Sequence, residues 1–340
     1  MFPTDEPSDR GQILVIVGLL IAVMLVALAL VLNAAIFAEN LSTRETADSE
    51  KPSSYAADTG STVADVYNRT NDNDTRTVAD AESTFDGALQ AWADSRSDTA
   101  AENGALFVAD WTTHVGWRLE QTENRSFTPD DDDSATEWTV VGDARDVAGF
   151  RLNVSRGDLY DGAGNSSNLK DDAFRVNVSN GTVDWELYVF RDSGNSTVVV
   201  YEGDPTAPDD LGDLLSGPDS CAAATDRAVV DLQAAKLDGD DDDDDDCDPL
   251  SFDDDLEGNV SVRYENVQDG GSERVNGTYR VVVNGSNAVD TARFNASGKM
   301  LPTATAVVYA VRYDTRYQRK EVVHDVEGWH SPRAEAYQSS

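Results

Sequence analysis

Three hydrophobic patterns follow one another along the chain: a continuous apolar run, a helical repeat and the alternation of β-strands. The first, at residues 13–32, is twenty residues long and carries no charged side chain. A helix of that length spans roughly 30 Å, the thickness of a bilayer's hydrocarbon core, whereas a secretory h-region has roughly 7–15 residues. The run, extended to 12–38, therefore predicts a retained membrane-spanning helix. A signal peptide removed after Ala35 or Ala38 is the alternative.

A helical repeat follows a polar segment. Residues 39–75 are rich in Ser, Thr, Asp and Asn and predict a linker, with some helix at 62–68. From Thr77 onward apolar residues recur at steps of three and four, with a break at Asn103-Gly104. We therefore predict a helical segment over 76–120, a short stalk, with an apolar face formed by Val78, Ala81, Phe85, Ala88, Leu89, Trp92, Leu106, Phe107, Trp111, Val115 and Leu119.

After an acidic loop at 129–134 the hydrophobic period changes to two. Eight short segments rich in β-branched and aromatic residues, separated by Gly, Asn and Asp turns, predict antiparallel strands in a sheet or sandwich. They are 137–142, 149–156, 173–179, 182–192, 196–203, 259–266, 278–285 and 305–317. Residues 224–237 fit either a helix or a further strand.

The predicted fold class is therefore α+β. It comprises an N-terminal transmembrane or pilin-like helix, a short helical stalk and an antiparallel β-rich, sandwich-like ectodomain over 135–325. A polar tail over 326–340 is expected to follow.

The charge balance restricts the partners. The formal net charge is −38 at pH 7, from 64 acidic and 26 basic residues, and only five of the basic residues are lysines. Such a charge repels nucleic acid, so nucleic acid is not expected as a partner. An acidic, lysine-poor surface is typical of extremely halophilic proteins, because molar salt screens the repulsion. Disorder is the alternative explanation, but 40% hydrophobic residues and six tryptophans argue against it.

Asparagine sequons indicate the side of the membrane, because the basic residues near the apolar run (Arg10, Arg44 and Lys51) do not. Chance would give about three Asn-x-Ser/Thr sequons from the 19 asparagines, but there are thirteen, all after the run. We expect a single-pass protein of the cell membrane with a cytoplasmic N-terminus and an extracellular ectodomain. Its glycosylation candidates are Asn40, Asn68, Asn73, Asn124, Asn153, Asn165, Asn177, Asn180, Asn195, Asn259, Asn276, Asn284 and Asn295.

The cysteines, Cys221 and Cys247, fit an exported chain in which they form a disulfide. The bridge would close an acidic loop over 221–247 and contribute roughly 3 kcal/mol; two unrelated buried thiols are the alternative. Within this loop a dense run of carboxylates is a weak candidate for Ca²⁺ binding, although the order of an EF-hand is absent. The ordinary interpretation is a solvated acidic loop. The candidate ligands are Asp240, Asp242, Asp244 and Asp246.

Before the apolar run the chain reads Arg10-Gly11-Gln12, and this order resembles the class III signal of archaeal type IV pilin-like proteins. The stretch LALVLNAAIFAENLSTRET is similar to haloarchaeal membrane-anchored surface proteins with pilin-like starts. The resemblance covers about 45 of the 340 residues. It implies cleavage between Gly11 and Gln12 by a prepilin-type peptidase, and other pilin-like subunits as partners besides the lipid bilayer. Ile16 occupies the fifth mature position, where many pilins carry Glu.

Motifs for catalysis are missing from the sequence. The histidines, His114, His324 and His330, lack the spacing of a metalloprotease site, and no nucleophile elbow, P-loop or dinucleotide fingerprint is present. We therefore expect no enzyme and no cofactor. Two function classes follow: a pilin-like or accessory subunit of an archaeal surface filament or secretion assembly, or an anchored, glycosylated ectodomain that binds a ligand or the S-layer without a filament.

Overall fold

The computed structural model describes residues 24–26, 55, 57–162, 168–203, 218–238, 245–251, 256, 258–268, 274–295, 302–320 and 322–332. The chain divides into two compact units, Met1–Gly60 and Ser61–Ser340. In the smaller unit Met24, Leu25 and Val26 are helical and exposed. Among the residues described, no helix is long and apolar enough to cross a membrane. The run predicted to do so, 13–32, lies outside them except at 24–26, as do Gly11 and Gln12.

Two of the described helices, α1 and α2, lie directly before the strands. α1 comprises residues 57–71, so the predicted linker contains more helix than the 62–68 expected. α2, Val78–Glu102, begins at Thr77, whose side chain accepts a hydrogen bond from the Asp80 N–H. The buried side of α2 has the predicted helical spacing, although Ala88, expected on this face, is exposed. Its buried residues are Ala81, Phe85, Leu89, Ala93 and Ala100.

The rest of the described chain is mainly strand. In chain order these are β1 Leu106–Ser126, β2 Glu137–Ala144, β3 Asp146–Ser155, β4 Phe174–Ser179, β5 Asp184–Asp192, β6 Thr197–Glu202, β7 Ser220–Ala223, β8 Arg227–Asp231, β9 Lys236–Asp238, β10 Asp245–Asp246, β11 Val260–Glu265, β12 Asn276–Asn284, β13 Thr303–Arg319 and β14 Val322–His330. A short helix, α3, Leu169–Asp172, precedes β4. All eight strands predicted from the alternation are confirmed, and 224–237 supplies β8 and β9 rather than a helix.

The strands form two antiparallel sheets. Sheet A has the order β10-β9-β8-β3-β12-β1-β13-β14, and sheet B has the order β2-β11-β4-β5-β6-β7. Alternate residues of both sheets pack into one core, at whose centre the Phe127 ring lies 5.3 Å from Phe174 and 5.8 Å from both Tyr264 and Tyr279. The sandwich-like, antiparallel β-rich fold is thus confirmed.

The prediction of helix over 106–119 is wrong, because these residues form the first half of β1. Phe107, Trp111, Val115 and Leu119 follow one another at steps of four, and a step of four keeps a residue on one face of a strand as well as of a helix. Leu106 was predicted on the same face as these four residues, but it points to the opposite side of the strand and is 51% exposed.

The predicted C-terminal boundary of the β-rich part, at 325, also lies too early in the chain. The tail was predicted over 326–340, but residues 326–330 belong to β14, which pairs with β13 from Val311↔His330 to Arg319↔Val322. The reversal occurs at Lys320, which has a positive φ of 52°. The β-rich unit therefore extends from Leu106 to His330 rather than from 135 to 325.

Sheet A is wider than sheet B, and the two helices cover the excess. β7 approaches β9 and β2 approaches β12, so the outer strands β13 and β14 extend past the edge of sheet B. There Val63, Phe85 and Leu89 pack with Val308 and Val311 of β13 in a separate core cluster. α2 is therefore not the stalk that the sequence predicted, because its apolar face is buried against the sheet.

The last residue of α1 and the segment that follows it also close part of a sheet edge. β14 pairs with β13 only from Val311 onward, which leaves 303–310 without a strand on that side. The Val308 N–H donates to Asn71 Oδ1 (2.9 Å), Asn71 Nδ2 donates to the Val308 carbonyl (2.8 Å), and the Ala306 N–H donates to the Thr75 carbonyl (2.8 Å). Asn71 thus takes the place of a strand residue.

Replacing Asn71 by Ala should lower the free energy of unfolding by about 1–3 kcal/mol, because two backbone groups of Val308 lose their partner. Urea titration in molar salt measures this difference. Asp72→Ala is the matched control, since Asp72 is exposed on the same segment, and it should stay within about 0.5 kcal/mol of the parent chain. Equal effects of the two substitutions would show that Asn71 does not seal the edge.

Candidate functional site

The cysteine pair joins the two sheets at one end of the sandwich. Cys221 lies in β7, the edge strand of sheet B, and Cys247 directly follows β10, the edge strand of sheet A. They form a disulfide with a Cα–Cα distance of 6.0 Å and a sequence separation of 26. The Cys247 N–H also donates to the Ala235 carbonyl (2.7 Å). The predicted disulfide is confirmed, and it closes the gap between two facing edges.

The acidic run inside this loop lies mostly outside the described residues. Asp240, Asp242 and Asp244 are not among them, and Asp246 is described as part of β10 without its side chain. Within the residues that the structure does describe, no group of His, Cys, Asp and Glu is arranged to hold a metal ion. The Ca²⁺ loop therefore stays a prediction.

The sequon asparagines are distributed over the surface of the larger unit. Of the thirteen, Asn40 and Asn165 lie outside the described residues, and none of the remaining eleven is buried. Those on the most open positions are Asn68, Asn73, Asn124, Asn195 and Asn259. The half-buried ones are Asn153, Asn177, Asn180, Asn276, Asn284 and Asn295. An oligosaccharide attached at the open positions would point into solvent.

Some sequons have a structural use of their own. In the turn between β4 and β5 the Asn180 side-chain oxygen accepts the N–H groups of Thr182 (2.9 Å) and Val183 (2.8 Å), as in an Asx turn. Asn259 donates to Asp143 (2.9 Å), and Asn276 donates to Asp158 (3.1 Å). Side-chain hydrogen bonds within the fold therefore account for some of the sequon asparagines. They do not account for the exposed Asn68 and Asn124.

A ladder of charges crosses the outer face of sheet B. Arg175 of β4 contacts Glu265 of β11, Glu186 of β5 (3.0 Å) and the Tyr188 hydroxyl (2.8 Å). Arg263 extends the ladder to Glu265 (3.5 Å) and to Glu137 of β2 (2.6 Å). The side chains of Arg175 and Glu265 are only 16% and 11% exposed. The ladder connects four strands, and its half-buried charges are paired with one another.

Burial also raises the pKa of several tyrosine hydroxyls. Desolvation raises the pKa of Tyr188 to about 12, although the Arg175 guanidinium opposes this shift. Desolvation raises the pKa of Tyr264 and Tyr279 in the central core still further. These hydroxyls therefore stay protonated at physiological pH.

The three histidines do not form a site. His114 is on β1, not on a helix, and its ring lies 5.5 Å from Trp329. His330 is on β14 with its ring 4.5 Å from Tyr67. Successive residues of a strand point to opposite faces, so the neighbours Trp329 and His330 place these two rings on opposite sides of the sheet. His324 is six positions before His330, roughly 20 Å along the strand.

Several residues of the ladder and of the sealed edge were missed by reasoning from sequence. Arg175, Glu186, Arg263 and Glu265 occupy alternating polar positions of predicted strands, which marks them only as facing outward. Their contacts depend on the register between strands that are far apart in the chain, since Arg175 and Glu265 are 90 positions apart and Arg263 and Glu137 are 126 apart (263 − 137). Asn71 likewise has no local signal, since its partner Val308 is 237 positions away.

Comparisons with family models, with curated proteins and with solved structures gave no match to this chain.

Replacing Cys221 and Cys247 together by Ala should lower the free energy of unfolding by about 3 kcal/mol, because the unfolded chain regains the freedom of a long loop. The measurement is urea unfolding in molar salt under oxidising conditions. The parent chain with its disulfide reduced should show the same loss. If the double variant unfolds at the same urea concentration as the oxidised parent, the bridge does not hold the sheet edges together.

His330 should make the fold sensitive to acid. Burial lowers the pKa of His330 from its ordinary value of about 6.5. The unfolded chain therefore binds the proton more readily, so this contribution to stability is complete above pH 6.5 and is lost as the pH falls below it. Changing His330 to Phe keeps an aromatic ring beside Tyr67 and should reduce the fall in Tm between pH 7.5 and pH 5.

The matched control for that change is His324→Phe, on an exposed position of the same strand. It should leave the pH dependence of Tm as in the parent chain. Identical pH profiles for the parent chain and the His330→Phe variant would contradict the role assigned to His330.

Proposed function

We propose that this chain is a non-enzymatic structural protein of the cell surface, held in the membrane through residues 13–32. In this proposal it is a pilin-like or accessory subunit of an archaeal surface filament or secretion assembly. The observation that carries the proposal is the distribution of the thirteen sequons: all follow the apolar run, and the eleven that the structure describes are exposed or half-buried.

The disulfide supports placement of the larger unit outside the cell. A bridge that connects the edges of two sheets persists where thiols are oxidised, as on a cell surface. Reduced, the same two cysteines would leave Cys247, which is 1% exposed, as a buried thiol at the open end of the sandwich. The bridge is therefore consistent with an exported chain.

The charge of the chain supports a surface exposed to molar salt. A net charge of −38 opposes compaction in dilute buffer, and salt screens this repulsion over a Debye length of about 3 Å at 1 M. The half-buried ladder of sheet B is affected less, because its charges are paired at short distance and partly shielded from solvent. The proposed habitat is therefore an extremely halophilic cell.

The pilin-like part of the proposal is supported by the order Arg10, Gly11, Gln12 and then an apolar run. Glycine before the scissile bond presents no side chain to a peptidase. A second candidate function is an anchored, glycosylated ectodomain that binds a ligand or the S-layer without a filament. It is favoured by Ile16, which stands where many pilins carry Glu.

Mass spectrometry of the mature protein from its native membranes tests both parts. We expect a chain that begins at Gln12 and carries glycan on several sequons, the open Asn68 and Asn124 among them. Loss of the cell's oligosaccharyltransferase should increase the mobility of the protein on a gel.

Three other results would change the proposal. A start at Met1 or Phe2 with glycan present supports the second candidate function. A start at Ile36 or Glu39 would show that the apolar run is a discarded signal peptide. A mature chain with no glycan on any sequon would contradict the extracellular placement of the larger unit.

A further inference from the structure

We propose that β14 is a self-association edge, at which a second copy of this chain adds its own β14 antiparallel and continues sheet A across a two-fold axis. The site is the corner of sheet A formed by the start of β1, the second half of β13 and β14. It does not rest on the function proposed above, because it concerns the purified chain and neither its processing nor its glycans.

The first argument is that the other sheet edges are protected from pairing with another chain. β10 and β7 are two and four residues long and are joined through the disulfide. β2 is bulged against β11, and its Gly142 N–H donates to the Ala288 carbonyl (2.7 Å). The free half of β13 is sealed by Asn71. Short strands, bulges and covering segments are the devices by which proteins protect edges from pairing with other chains.

β14 has none of these three devices. It does carry charged side chains, which are a further device, but Asp325 and Glu327 are paired with arginines of β13. It is nine residues long, regular and free of proline, and it occupies the end of sheet A. Within the described part of the chain, no backbone hydrogen bond joins its outer edge to another segment. Gly328 leaves room for the Tyr313 ring of β13, because a Cβ there would lie 2.1 Å from the Tyr313 Cζ. β14 pairs with β13 along all nine of its residues, so its other edge presents a row of backbone donors and acceptors.

The second argument is the concentration of exposed apolar side chains. Six large hydrophobic residues of the larger unit are exposed among those described, and five of them belong to this corner. The register places Leu106 of β1, Gln318 of β13 and Val323 of β14 side by side on one face. Trp329 lies on the same face of β14. The five are Leu106, Val108, Val322, Val323 and Trp329.

The third argument is electrostatic, and it selects a second copy as the occupant. The segment 312–330 has four basic and four acidic side chains and is neutral, so the entire net charge of −38 lies elsewhere. Arg316 holds Asp325 by two hydrogen bonds (2.6 and 3.2 Å), and Arg312 pairs with Glu327. Two copies repel one another over most of their surface. The neutral segment 312–330 is where they approach with the least repulsion.

The pairing is self-complementary. A two-fold axis through Val326 aligns all nine residues of β14 with those of the copy. In this register Val323 lies opposite Trp329 of the copy on the exposed face, a pairing of a β-branched with an aromatic side chain that stabilises antiparallel strands. Asp325 lies opposite Glu327 of the copy, and each carboxylate already has its own arginine. Such an isologous contact closes after two chains.

Sedimentation equilibrium of the full-length chain in detergent and molar salt tests the proposal. The unmodified chain should sediment with the protein mass of two copies. The edge substitution Val323→Lys places a charge in the pairing row of both copies and should weaken association at least about tenfold. The matched control Val183→Lys, on an exposed valine of the β4–β5 turn, should leave association unchanged.

A second measurement tests the proposal independently of whether the Val323→Lys variant folds. Val326→Cys, treated with a short bismaleimide, should give a cross-linked species of twice the mass, since the axis brings the two thiols together. Val183→Cys should not. A monomeric unmodified chain, equal weakening by the two lysine substitutions, or equal cross-linking of the two cysteine variants would each overturn the proposal.

Discussion

The fold depends on one mismatch: sheet A has eight strands and sheet B has six. A sandwich buries the inner faces of two sheets only where they overlap, and each strand that extends past the overlap leaves an apolar face and a row of backbone groups to be satisfied. At one end the overlap ends evenly, and the Cys221–Cys247 disulfide joins the edges. At the other end β13 and β14 continue alone.

At this second end the helices cover the apolar face of the sheet and supply hydrogen-bond partners to its backbone. α1 supplies Val63, and α2 supplies Phe85 and Leu89, as the missing inner layer. Asn71 supplies the missing edge partner of Val308. Asp86 contributes too, because it accepts hydrogen bonds from Trp111 Nε1 (3.0 Å) and Thr113 Oγ1 (2.8 Å) and so aligns α2 with β1. The helices are therefore part of the β-rich unit rather than a stalk beneath it.

Much of this architecture could be predicted from sequence, where the information is local. The alternation in segments such as 182–192 depends on neighbouring residues, and so does the buried spacing of α2. β1 was misassigned because Phe107, Trp111, Val115 and Leu119 fit both periods, although Val108, Thr112 and Thr113 among them favour a strand. The Arg175 ladder and the Asn71 seal could not be predicted, since each joins residues far apart in the chain. The disulfide could be predicted, because a chain with two cysteines allows only one pairing between them.

The central claim of this account is that every described sheet edge except β14 is short, bulged or covered by another segment. Amide hydrogen exchange, resolved to peptides and measured over a range of protein concentrations, tests it most directly. The account predicts that 303–310 is protected at every concentration, because Asn71 and Thr75 hold its amides. Protection of 322–330 should rise with concentration as copies pair. Rapid exchange in 303–310, or protection of 322–330 that is complete in the most dilute sample, would contradict the claim.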